Sequence, residues 1–213
     1  MASRNRVAPT GEIVSSPLRG QLMGNRGCLH RDREVVRPWQ GRRWITCVTS
    51  FKDRHLQQWA PGRYTVLFFH DEAVALAAGH RPCAECRRAD YNAFREAWHS
   101  ARGPRRDAGQ GARGRLPGAD EVDAALHVDR LDGRTQRLHR AAWATLPDGT
   151  FVRTDDGAAV VVGAALVNWS SDHGYGAATK RPRTGQAEVM TPAITVAVLR
   201  AGYAPLIAVP PGG

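Results

Sequence analysis

The chain has little lysine, few cysteines and no long apolar run. Lysine occurs only at Lys52 and Lys180, so nearly all of the 30 basic residues are arginines. A charge that served solubility alone would have no need of arginine's planar fork, which matches phosphate oxygens. With twenty acidic residues against them the formal net charge is +10, enough to draw the chain toward polyanions. No apolar stretch approaches the length of a membrane span, since even 158–167 stops at Asn168. Residues 1–17 carry Arg4 and Arg6 but no apolar core ahead of a cleavage-like site, so a secretory signal is not expected and a cytoplasmic setting with reduced thiols is. A serine nucleophile elbow and a phosphate-cradling P-loop are both missing.

What is there begins with Arg81-Pro82-Cys83-Ala84-Glu85-Cys86, where two thiols three residues apart follow a rigid proline. Such a turn can clamp one metal ion from two sides. The whole chain holds four cysteines, Cys28, Cys47, Cys83 and Cys86, the number a closed tetrahedral zinc site takes. In a reducing compartment the pattern reads as metal-binding or redox rather than as a disulfide. Cys83 and Cys86 form the core of the expected Zn2+ site and Cys47 joins them. Cys28 is the expected fourth donor, with His30 and His80 as alternatives.

Hydrophobic patterning predicts an α+β chain. Residues 43–51 and 64–69 are rich in β-branched and aromatic types and read as strands, joined as a hairpin with a long connection. A short helix over 71–78 has acids in its first turn and Gly79 as its stop. A second helix over 86–100 aligns Tyr91, Phe94 and Trp98 on one face. Residues 1–20 read as a loose arm and 21–100 as the zinc-binding region. Residues 101–118 are so rich in Gly, Pro and Arg that they read as a basic loop or linker. The remainder, 119–213, reads as a mixed region: a helix over 120–131, a helical piece over 136–145, a β-meander with strands at 150–154, 158–163 and 165–169, and a last helix over 193–201.

The order of an aromatic strand (Leu67-Phe68-Phe69), an acid-headed Ala helix, Gly79 and the Arg81-Pro82-Cys83-x-x-Cys86 turn resembles the N-terminal zinc-binding domain of Ada-type adaptive-response DNA repair proteins. The likeness spans about a tenth of the chain. It implies a zinc-stapled, Ada-like or treble-clef-like element in which Cys83 and Cys86 are one pair of zinc thiolates, in a protein acting near DNA. The family's other pair is a Cys-x-x-x-Cys, whereas here Cys28 and Cys47 stand far apart. Its methyl-accepting role is therefore assigned to no residue here, and Cys47 is the first thiol to test for it. The whole chain, with Gly24-Asn25-Arg26-Gly27 and Thr191-Pro192, also resembles a family of bacterial proteins.

Folding the metal site is expected to gather Arg42, Arg43 and Trp44 with Arg81, Arg87 and Arg88 into a surface that grips phosphates and stacks a base, with DNA as partner ahead of RNA. A repair, maintenance or defence setting follows. The alternative is a zinc hydrolase with water on an open metal position and Glu85, Glu72 or His80 carrying the proton. Deamination, which pairs H-x-E with P-C-x-x-C, is disfavoured because only about ten residues separate His70-Asp71-Glu72 from the cysteine turn. A protein-interaction module meeting an acidic partner is the third reading.

Overall fold

Short apolar segments punctuated by glycine and proline give strands of two to seven residues, and most of them collect into two six-stranded sheets. The computed structural model describes residues 3–53, 57–103 and 115–209. Its architecture is mixed α+β. The first sheet is built from β1 (Arg4–Val7), β2 (Ile13–Ser15), β3 (Leu22–Asn25), β6 (Ile45–Val48), β7 (Leu67–Phe69) and β8 (Arg81–Pro82), in the order β2-β1-β7-β3-β6-β8. A small ribbon of β4 (His30–Arg31) and β5 (Glu34–Val35) stands beside it. The loose arm expected over 1–20 is instead two paired strands, with Asn5, Val7 and Ile13 buried.

The expected hairpin of β6 with β7 does not form, because β3 lies between them and pairs antiparallel with both. Gly24 makes this close approach feasible: a Cβ there would lie 2.0 Å from the Ile45 carbonyl oxygen and 3.0 Å from the Phe69 ring. At the far side of β6, β8 pairs parallel, with Ile45 opposite Arg81 and Thr46 opposite Pro82.

Helix α1 (Glu72–Ala77) follows β7 and is buried on every side. Its N-cap is Asp71, whose carboxylate accepts the Val74 N–H at 2.9 Å. Leu76 packs with Phe94 and Trp98 of α2 (Arg88–Arg102), Val122 and Leu126 of α3 (Ala119–Arg130) and Val198 of α4 (Ala193–Arg200). The aromatic face of α2 is thus core, as its spacing predicts. The opposite side of α1, Ala73 and Val74, meets the second sheet through Phe151, Val160 and Val167.

That sheet has the order β11-β16-β12-β13-β14-β15. Its strands are β11 (His139–Ala142), β12 (Phe151–Thr154), β13 (Gly157–Val162), β14 (Ala165–Ser170), β15 (Gly174–Lys180) and β16 (Gln186–Val189). The meander β12 to β14 falls where alternation and the Asp155-Asp156-Gly157 turn put it. The helical piece expected over 136–145 is instead the end of a ribbon, β9 (Leu131–Asp132) with β10 (Thr135–Gln136), then β11 and one short 3-10 turn, Trp143–Thr145. Pairing with β16 overrides the local preference of His139-Arg140-Ala141-Ala142. Of the basic loop expected over 101–118, residues 104–114 lie outside the described residues.

Buried charge ties these layers together. Asp71 accepts hydrogen bonds from the Tyr175 hydroxyl at 2.6 Å and the Ala208 N–H at 2.8 Å, and burial holds its carboxyl above the usual range. Glu72 takes the Tyr203 hydroxyl at 2.6 Å and Arg87 Nη2 at 2.8 Å. Arg81 forms a two-pronged pair with Asp123, Nε to Oδ1 at 2.9 Å and Nη2 to Oδ2 at 2.7 Å, and so locks β8 to α3. Truncating one partner leaves the other charge buried and alone. Asp123→Ala is therefore expected to destabilise the fold by about 3–5 kcal/mol in urea unfolding, against less than ~1 kcal/mol for removal of the exposed Asp120 paired with Arg43.

Candidate functional site

The β6 and β8 pairing continues one residue past β8, where the Cys83 N–H donates to the Thr46 carbonyl at 2.8 Å. This sets Cys83 beside Cys47. The chain then turns into α2, with the Arg87 N–H donating to the Cys83 carbonyl at 3.2 Å and the Glu85 N–H to the Cys83 sulfur at 3.4 Å. The turn brings Cys86 around, and the sulfurs of Cys47, Cys83 and Cys86 lie within 4.8 Å of one another. Zinc thiolates at ~2.3 Å from the ion stand roughly 3.8 Å apart in a tetrahedron, so small side-chain rotations suffice for all three to share a cation. Hydrogen bonding to Cys47 pushes the Cys83 thiol down to about 5, aided by the N–H groups of Cys86 and Glu85, while the same bond and burial push Cys47 up. Among the three thiols, Cys83 is the one whose surroundings favour the thiolate. The cluster is the one group of this kind among the described residues.

The expected fourth donor is not part of the cluster. Cys28 stands half-buried with its sulfur 3.9 Å from the His30 carbonyl. His30 bonds Thr65 Oγ1 through Nδ1 at 2.7 Å. His80 is fully buried between Trp44 and Phe69 and accepts from Arg26 Nε through Nε2 at 3.1 Å. Burial, with the nearby Arg26 and Arg130 charges, holds its imidazole neutral. Among the described residues no fourth donor joins the three thiols, so water or another donor would complete a tetrahedral metal there.

The arginine surface expected around the cysteine turn is not assembled as such. Trp44 is 3% exposed and donates through Nε1 to the Gly41 carbonyl, so its ring is core and offers no base a platform. Arg81, 2% exposed, belongs to Asp123, and Arg87, 8% exposed, belongs to Glu72, Asp90 and Thr46. Asp123 and Glu72 lie in other helices, α3 and α1, which local sequence does not reveal. Arg42, Arg43 and Arg88 are exposed, Arg43 within 3.4 Å of Asp120.

Arginines collect elsewhere. A cleft of about 830 Å³ opens between the turn joining β1 to β2, the segment 35–39 after the β4–β5 ribbon, and the β9–β10 ribbon. Arg4, Arg37, Arg134 and Arg153 stand exposed around it, and Arg26 and Arg130 form its floor. Among the lining residues the one carboxylate is Glu12, and Arg153 is paired with Glu188 outside the lining. Half-buried Trp39 lies with its ring centroid 5.9 Å from that of Trp44 and under Arg134. These arginines come from segments spread over 150 residues of chain, so no local run announces them; Arg26 within Gly24-Asn25-Arg26-Gly27 is the nearest thing to a signal.

Comparison of the chain with family models, with curated proteins and with solved structures finds no match. Elemental analysis of purified protein is expected to give about one metal ion per chain, lost in Cys83→Ser and retained in Cys28→Ser. Equal metal content in those two variants would remove the three-thiol centre.

Proposed function

We propose that the chain is a zinc-binding protein that binds nucleic acid, single-stranded DNA ahead of RNA, along the arginine cleft. The observation that carries this reading is charge imbalance: six arginines line the cleft against Glu12 alone. Three thiolates favour zinc, a borderline-soft ion that accepts tetrahedral sulfur coordination. The zinc acts as a staple for an Ada-like or treble-clef-like element, and a DNA repair, maintenance or defence role agrees with the likeness of residues 67–86. A single strand suits the site better than a duplex, because Trp39 can stack only a base that has left its neighbours.

Metal and cleft share one piece of backbone. Trp44 and His80, beneath the cleft, begin the segments that end in Cys47 and Cys83, about 10 Å further along the paired strands. Loss of the ion frees the cysteine end of that pair and loosens the floor at the other.

A hydrolytic metal site is the second reading, favoured by the three-donor set, which leaves room for a water. Of the three expected proton carriers, Glu72 and His80 are committed to Arg87 and Arg26. Glu85 is exposed beside the thiols.

Anisotropy of a labelled single strand is expected to show affinity falling steeply with salt, with a log–log slope of about −0.7 per phosphate contacted. Arg134→Ala should make the slope shallower by about that one step, and chelation of the metal should weaken binding several-fold. Affinity that does not respond to salt would overturn the reading.

A further inference from the structure

Two full charges lie at the bottom of the cleft, hydrogen-bonded only to neutral groups, and Asp123, itself paired with Arg81, attracts Arg130 from further off. Arg26 is 1% and Arg130 is 2% exposed, and their guanidinium carbons sit 4.2 and 3.7 Å from the centroid of the Trp44 ring. Arg26 donates to His80 Nε2 and, at 2.8 Å, to the Gly11 carbonyl. Arg130 donates to the carbonyls of Gly79 at 3.0 Å and Arg42 at 2.8 Å, and contacts His127 Nδ1 at 2.9 Å. Among the described residues no carboxylate forms an ion pair with either. One nitrogen of each, Arg26 Nη2 and Arg130 Nε, is buried without a hydrogen-bond partner. Burial holds both guanidiniums down to about 9, which still leaves them charged at neutral pH.

Burying a guanidinium without a counter-charge is costly, and burying two beside each other more so. Stacking on Trp44 recovers only part of that. Among the described residues no carboxylate pairs with either guanidinium, so a group that completes the site is anionic. A carboxylate brings one charge to two cations. A phosphate monoester brings about −1.5 to −2 near neutral pH and three acceptor oxygens, which matches two guanidiniums that each have one unpartnered nitrogen. An internal phosphodiester carries a single charge and would have to pass chain in and out past the floor. The apolar wall above, Trp39 with the exposed Val36, suits the base that accompanies such a phosphate.

We infer that Arg26 and Arg130 form a subsite for a terminal phosphate monoester of a nucleotide, with Trp39 as the platform for its base. The subsite rests on the nucleic-acid reading for its source, a phosphorylated strand end, but its chemistry is shared with a free nucleoside monophosphate.

The test uses the full, metal-loaded chain and strands of about eight nucleotides, a length within the site sizes of single-strand binders. They are identical except for a 5′-phosphate, a 3′-phosphate or neither, and a nucleoside is compared with its monophosphate. One of the phosphorylated ends is expected to bind about tenfold tighter or more than the bare strand, and the monophosphate to bind where the nucleoside does not. Arg26→Gln should remove the discrimination between phosphorylated and bare strands; should that variant not fold, the wild-type comparison decides alone. Strands that bind equally with or without a terminal phosphate, together with no binding of the monophosphate, overturn the subsite and leave the nucleic-acid reading standing. A monophosphate that binds while no strand does supports the subsite and overturns the nucleic-acid reading instead.

Discussion

A helix of six residues does not hold itself together in water, yet α1 stands at the centre of this molecule with all six residues buried. Its surroundings are arranged to supply what it lacks. Leu76 faces the three other helices, Ala75 and Ala78 face the first sheet, and Ala73, Val74 and Ala77 face the second. Small side chains let each layer approach closely, and the two acids at the start anchor Tyr175, Tyr203, Arg87 and the backbone at Ala208. Sheets, helices and tail meet one another through this helix, which is why parts widely separated in sequence share one interior.

Leaving α1, the chain passes directly into the candidate site. Gly79, at φ +81°, makes the turn, and a Cβ on it would lie 2.5 Å from Arg130 Cδ. The next residue accepts from Arg26, and the one after pairs with Asp123. The thiols follow at once. One continuous segment thus runs from the buried helix through His80 and Arg81 to two of the three clustered thiols.

Much of the local structure was legible because it is periodic: the buried face of α2, the alternation of β12 to β14, and the acid-headed start of α1 each carry their own pattern. The cysteine turn was legible because proline and two thiols at that spacing have few other uses. The remainder depends on partners that sequence does not align. Arg4 and Asn5 look like an arm until β7 pairs beside them. Arg81 and Arg87 look like phosphate contacts until Asp123 and Glu72, 42 and 15 residues away, neutralise them inside the core. Cys28 looks like a ligand by count alone, and geometry sets it apart. The arginine cleft is the opposite case, since its members are unremarkable one by one and gain meaning only when five segments converge.

The stretch 79–87 carries an unusual density of obligations: backbone space for Arg130, an acceptor for Arg26, an ion pair to α3, two thiols and an ion pair to α1. Few substitutions there could satisfy one role without spoiling another. Among descendants of a common ancestor these positions would drift most slowly, and changes at Arg26, Glu72, Asp123 or Arg130 would have to arrive in step with them, so that this short segment would mark kinship long after the rest of the chain had diverged.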